Sequence, residues 1–295
     1  MKIRIGVGYT GGLTDAAGFG AAIDAIAGLH FDSLWLSEVL TGAVPDPLAG
    51  LAFAAGRHPR LKLGTTMLLP GHHPLRLAKQ LATIDALSDG RLLVTFVPGL
   101  ARSPEREAVG VPPAERGRVM EETMPLLRRL WSGDTVTYRG SAVTMEEVTL
   151  SPLPVQQPLE LWLGGMAPAA LERCGRMGDG WLPSLCTPAE VAAGREIIDR
   201  VAERSGRQID PEHFGISLGY SFEPLDDRVA ASIAARSRGN PVADVVAVGA
   251  GALRDLVHRF VDVGFSKFVV RPLVPPADWP SELERLAAAV GDLQT

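Results

Sequence analysis

No run of about 18 apolar residues occurs in this 295-residue chain, so a membrane-spanning helix is not expected. Cysteine is nearly missing. Cys174 and Cys186 form no metal-type cluster and read as free thiols of a reducing compartment. Lysine is scarce and no basic tract is present. With a net charge of −5, nucleic acid is not an expected partner. The first strand-like run, 3–9, is followed by Thr10-Gly11-Gly12 and not by Gly-x-Gly-x-x-Gly, which argues against a dinucleotide-binding, doubly wound sheet. That run also lacks the long apolar stretch of a signal peptide, so a cytoplasmic location is expected. No exact repeat or low-complexity segment breaks the chain.

What is present is a core. The chain is 46% apolar, enough for a globular domain and too much for a disordered one. Strand-like runs at 3–9, 31–37, 61–69 and 91–97 alternate with helical spacing at 15–29, 46–56 and 74–87. The helix at 74 begins with Pro74, and Ser88-Asp89-Gly90 ends it. Strand–helix repetition predicts a parallel sheet with helical crossovers. An interruption follows: a short helix at 104–109, a long one at 113–131 with Arg116, Arg118 and Glu121 on its polar face, and a β-hairpin at 134–150 turning at Arg139-Gly140. The repeat resumes with strands at 159–163, 180–184, 213–222 and 265–271. Helices are expected at 168–177, 188–205, 242–263 and 279–290, with a helical insertion at 226–240. Eight strand–helix units predict a single-domain (β/α)8 TIM barrel over residues 1–295, with insertions after strands 4 and 7.

One stretch has local chemistry of its own. Leu161-Trp162-Leu163 runs into Gly164-Gly165-Met166-Ala167 and then the helix at Pro168. Paired glycines let backbone N–H groups approach an anion, and the helix dipole favours negative charge there. The turn reads as a phosphate site for a flavin-like cofactor, against the plainer reading of a tight strand-to-helix turn. His72 and His73 lack partners at metal-ligand spacing, so no metal site is expected.

Leu34-Trp35-Leu36-Ser37-Glu38, Leu63-Gly64-Thr65-Thr66-Met67-Leu68, His73-Pro74-Leu75-Arg76, Leu87-Ser88-Asp89-Gly90-Arg91 and Gly178-Asp179-Gly180-Trp181 occur in this order. Together they resemble the bacterial luciferase-like monooxygenase superfamily, and within it the branch that uses the deazaflavin coenzyme F420. The resemblance runs from the first strand to Phe268-Val269-Val270-Arg271-Pro272. It implies a TIM barrel, a cofactor at the C-terminal ends of the strands, and a homodimer.

It also implies site residues. Gly164, Gly165, Met166 and Ala167 would take the cofactor phosphate, with Trp181 as a wall beside them. Asp179 would be repelled by a phosphate and is expected to orient backbone instead. Thr66 and Met67 match a place where relatives carry a non-proline cis bond under the cofactor ring. Glu38 stands where relatives place a ring-contacting acid, and is the expected catalytic group. Val39 stands where many place a proton-donating His, and valine cannot shuttle a proton. Gly99 ends the fourth strand. Leu100 follows it, where sugar-phosphate dehydrogenases of the branch place a Glu. Two apolar residues at those positions argue against sugar-phosphate oxidation and for an apolar small-molecule substrate. Tyr9 and Arg271 complete the expected pocket. Arg271 is suited to an anionic cofactor tail or substrate, or equally to a structural salt bridge, and His72 to contact with either ligand.

The expected function is therefore hydride transfer with coenzyme F420. An FMN-dependent monooxygenase is the alternative, and a barrel that binds flavin without chemistry is a third reading.

Overall fold

The computed structural model describes residues 1–13, 15–99, 107–141 and 143–295. Leu100 and residues 104–106 of the short helix expected at 104–109 lie outside the described residues, and 107–109 form a turn. The elements follow in chain order. First come β1 (Arg4–Gly8), α1 (Ala16–Gly28), β2 (Ser33–Ser37), α2 (Pro47–Arg57), β3 (Lys62–Leu68), α3 (Pro74–Leu87) and β4 (Leu92–Val97). The interruption is α4 (Arg116–Trp131) with the hairpin β5 (Val136–Arg139) and β6 (Thr144–Val148). Then come β7 (Leu161–Leu163), α5 (Pro168–Met177), β8 (Gly180–Trp181), α6 (Pro188–Arg204), β9 (Gly215–Ser221), α7 (Asp227–Ala234), α8 (Val242–Val245), β10 (Val246–Val248), α9 (Ala250–Asp262), β11 (Lys267–Pro272) and α10 (Trp279–Val290).

The chain divides into two compact units, one of Met1–Trp35 with Leu163–Thr295, the other of Leu36–Trp162. Strands β2 and β7 run through the division. The strand order reads β10-β9-β11-β1-β2-β3-β4-β7-β8.

In the first unit β1 pairs in parallel with β11 and β2, and β11 with β9. Parallel bridges Trp181↔Phe214 and Ser184↔Ser217 join the β8 segment to β9. Its strands are nearly continuous apolar runs, as strands covered on both faces must be. Ile5, Val7, Ile216, Phe268 and Val270 are fully buried. Helix α6 starts with a capping box: Thr187 accepts from the Glu190 N–H while the Glu190 carboxylate accepts from the Thr187 N–H. The helical pattern expected at 242–263 is broken. Val246–Val248 forms β10 against β9, and Gly249 at φ +94° turns the chain into α9. A Val-rich run ending in glycine favours a short strand over helix continuation.

In the second unit β3 and β4 pair in parallel from Leu63↔Leu92 to Leu68↔Val97. That unbroken register corrects one expectation. The Thr66–Met67 bond is trans, because β3 continues straight through it; the cis bonds among the described residues are Ser151-Pro152 and Gln157-Pro158. The hairpin forms where expected, as an antiparallel pair from Val136↔Val148 to Arg139↔Thr144. Asp85 of α3, wholly buried, accepts from the Gln156 backbone N–H at 2.9 Å and its Nε2 at 2.7 Å, which ties down the proline-rich connector. Arg116 does not lie on the polar face of α4. It is buried, donating from Nε to Val111 O at 3.1 Å and from Nη1 to Pro98 O at 3.2 Å. Its place one turn before Met120 on the buried stripe Met120-Met124-Leu127 explains this.

Candidate active site

The expected site residues fall into two groups, one in each unit. In the first unit β7 delivers the chain into Gly164-Gly165. Gly165 has φ +107°, a conformation that side-chain-bearing residues rarely adopt, so glycine is required there. Gly164 is buried, Gly165 and Met166 are half-buried, and Ala167 is exposed. Ala167 is the N-cap of α5 and supplies no side-chain cap, and Pro168 holds the first helical position. The first turn of α5 thus presents backbone N–H groups without a capping side chain.

Trp181 of β8 is fully buried and donates from Nε1 to Gly165 O at 3.0 Å. The indole packs edge-on against Phe265, and its Cζ2–Cη2 edge leaves no room for a side chain at Gly194. Trp181 therefore braces the glycine turn from behind. Asp179 pairs with Arg207 at 3.1 Å, and the same Nη2 reaches Gly178 O at 2.9 Å. That network fixes the link from α5 to β8.

Tyr9, at the end of β1, stacks on Trp279 at 4.5 Å between ring centroids and meets Phe19 edge-on. Burial, with the Asp15 charge adding to it, pushes its phenol above the ordinary value, so it stays a neutral packing group. Arg271, at the end of β11, has no ion-pair partner among the described residues, and its buried Nε has no hydrogen bond. Burial and the nearby Arg236 charge both push its guanidinium below the ordinary value. Arg236 in turn lines a cavity of about 270 Å³ with Arg228, Val229, Ser232, Ile233 and Leu273. A buried cation with an unused donor is costly unless an anion meets it.

In the second unit the site lies at the C-terminal ends of β2, β3 and β4, the end of parallel strands where α/β barrels place their chemistry. Glu38 N donates to Thr66 O at 2.8 Å. The Glu38 side chain is only 5% exposed. Its Oε2 accepts from Leu68 N–H at 2.7 Å and its Oε1 meets His72 Nε2 at 2.9 Å. Thr66 and Leu68 share one face of β3, while Met67 is fully buried on the other. On the neighbouring strand Thr95, paired with Thr66, is buried and its Oγ1 has no partner. Gly99 has φ +86° and sits tightly, since a Cβ would come within 2.9 Å of Arg116 Nη1 and 3.1 Å of Leu68 Cδ2. Val39 is exposed in the turn that Gly42 N–H closes onto its carbonyl. The Glu38–His72 pair, 34 residues apart in sequence, is what local sequence patterns missed.

Among the described residues no group of three or more His, Cys, Asp or Glu is placed to hold a metal ion. No described helix is long and apolar enough to cross a membrane. Cys174 and Cys186 are buried, and burial pushes both thiols up to about 12.

Parallel strands linked by helical crossovers, in the order given above, are the pattern of a TIM-barrel-like α/β fold. The family comparison agrees: the luciferase-like monooxygenase profile matches residues 3–260, and the chain belongs to that family. It is 28% identical to an F420-dependent glucose-6-phosphate dehydrogenase of Nakamurella multipartita over 215 residues, 67% of this chain and 61% of that protein. It is 35% identical to an FMNH(2)-dependent dimethylsulfone monooxygenase of Pseudomonas fluorescens over 170 residues, 57% of this chain and 44% of that protein. The chain spans about half to three fifths of the length of curated relatives it matches. The solved F420-dependent secondary alcohol dehydrogenase in complex with an F420-acetone adduct superposes with a TM-score of 0.80 at 18% identity, covering 98% of this chain and 99% of that one. The fold is thus the TIM-barrel-like α/β fold of this family.

Proposed function

We propose that the protein is an oxidoreductase that uses deazaflavin coenzyme F420 to move a hydride to or from a small, apolar organic substrate. The observation that carries the reading is the Gly164–Ala167 turn, with Gly165 at φ +107° and no side-chain cap on α5. Its donor set fits a phosphate, which both F420 and FMN carry. Arg271, half-buried with its buried Nε unpaired, is suited to a further anionic group on cofactor or substrate. Glu38, Thr66, Met67 and Gly99 are the proposed residues for the ring. Met67 would act through its backbone, since its side chain is buried away from Thr66.

When bound, the coenzyme supplies the hydride chemistry. The protein's own residues bind its anionic end, orient the ring and exclude water. Val39 and Leu100 offer no charge for a sugar phosphate, which supports an apolar substrate. A cytoplasmic, homodimeric enzyme is the form we propose.

Titration of the purified protein with F420 and with FMN, each followed by its own chromophore, tests the proposal. Saturable F420 binding without FMN binding is the expected result. FMN binding with oxygen-dependent consumption of reduced flavin would replace it with the monooxygenase reading. No response from either chromophore would overturn both.

A further inference from the structure

Glu38 and His72 form a built pair. The carboxylate is almost wholly buried and uses both oxygens, one for Leu68 N–H at 2.7 Å and one for His72 Nε2 at 2.9 Å. The imidazole side chain is 24% exposed and makes no other hydrogen bond or ion pair among the described residues, which leaves Nδ1 open. Its loop is held on both sides. Leu69 N–H extends the β3 ladder onto Val97 O at 3.2 Å, and His73 is the N-cap of α3. Between them Gly71 takes φ +98° and packs so closely that a Cβ would come within 2.8 Å of Val109 O. His72 is thus carried on a short, pinned connection at the C-terminal ends of the strands.

A carboxylate on one ring nitrogen decides where the protons sit. Glu38 can only accept, so neutral His72 carries its proton on Nε2 and leaves the Nδ1 lone pair outward. We propose that His72 is the proton-transferring residue of the hydride-transfer reaction proposed above, on which this inference rests, and that Glu38 is its positioning residue. When the carbon of a carbonyl substrate gains hydride from the reduced deazaflavin, an electron pair is left on its oxygen. The Nδ1–H of a doubly protonated His72 delivers its proton to that oxygen. The N–H bonding pair stays on Nδ1, and the ring ends neutral with Nε2–H facing Glu38. Oxidation of the alcohol returns the same proton to Nδ1.

Replacement of Glu38 by Gln gives a test that needs no cofactor. The amide has one oxygen, and Leu68 N–H requires it, so its NH₂ group turns towards His72. An NH₂ donor forces His72 to accept at Nε2 and to carry its proton on Nδ1, the opposite tautomer. In ¹⁵N-histidine-labelled protein above pH 8, with the His72 signals identified by their loss in His72→Gln, the wild type should show protonated Nε2 and bare Nδ1. Glu38→Gln should show the reverse. A wild-type ring that averages between tautomers, or one unchanged in Glu38→Gln, overturns the pair.

Turnover supplies the second reading, with cyclohexanone and 2-cyclohexen-1-one as probes and consumption of reduced F420 as the signal. His72→Gln should lower kcat by about a hundredfold or more, the usual span of general acid–base catalysis. Added imidazole should restore part of the loss, which a purely structural residue would not permit. Unchanged kcat in His72→Gln, or wild-type inactivity towards both probes while F420 is bound, overturns the proton-transfer role alone. A wild type that binds no F420 overturns the proposed function and this role together, whatever the tautomer.

Discussion

Placing a negative charge on the glycine turn should remove the coenzyme while leaving most of the fold. Gly165→Asp introduces two separable effects. The first is backbone strain: at φ +107° any L-residue costs about 1–2 kcal/mol. The Cβ adds a tight contact, with Ala170 Cβ at 3.2 Å, that both variants share. The second is charge. A carboxylate about 4–5 Å from a phosphate on the turn repels it by about 3–4 kcal/mol per unit of ligand charge at an effective dielectric constant of 20. That corresponds to at least a hundredfold weaker binding. Gly165→Ala carries the strain without the charge and serves as the reference. Chemical denaturation should place both variants about equally below the wild type, and chromophore titration should separate them. Because the turn is half-exposed, 0.5 M salt, roughly a Debye length of 4 Å, should narrow the gap between Ala and Asp. If Gly165→Asp binds F420 and FMN within threefold of Gly165→Ala, no phosphate rests on this turn.

Three further outcomes follow from the geometry. Trp181→Phe removes the N–H that holds Gly165 O, and should cost about 1–2 kcal/mol in a urea melt and weaken coenzyme binding severalfold; unchanged affinity would separate the turn from its brace. Glu190 pays desolvation as the largest single influence. Its bonds from Thr187 N–H, Arg238 and Asn240 outweigh that and hold its carboxyl below the ordinary value. A depressed folded-state value means that its stabilising share is complete above about pH 4.5 and is lost as pH falls through the folded value, so Glu190→Gln should be less stable than wild type at pH 7 and converge with it on acidification. Melts at pH 7 and at pH 3.5 with an undiminished gap would refute that. With both thiols pushed up to about 12, the thiolate fraction at pH 8 is about 10⁻⁴, so a disulfide reagent should label Cys174 and Cys186 only after unfolding.

The sequence was most readable where punctuation and periodicity agree. Pro74–Leu87, Pro168–Met177 and Trp279–Val290 form helices at the limits expected, because a proline at or beside the first turn and a turn residue at the end mark them locally. The hairpin and the alternation of strands with helices were legible for the same reason. What was not legible depended on partners far along the chain. Val246–Val248 is a strand because β9 lies beside it, and within 242–263 its spacing also fits a helix. Arg116 is buried because the carbonyls of Pro98 and Val111 receive it. Glu38 read as a group free to touch a ring. Its fixed position comes from Leu68 and His72, and no local pattern announces a bond across 34 residues.

The bond between Glu38 and His72 also bears on how chains of this fold diverge. The acceptor sits on a strand end that the sheet holds rigid, whereas the imidazole arrives on the connection 69–73. With one oxygen held by Leu68 N–H, the buried carboxylate can take a partner on the other from whichever neighbouring loop supplies it. A histidine can therefore be lost beside Glu38 and regained from the next crossover without disturbing any strand. Loop grafting between relatives becomes a practical route to moving the imidazole relative to the strand ends, one residue of loop length at a time.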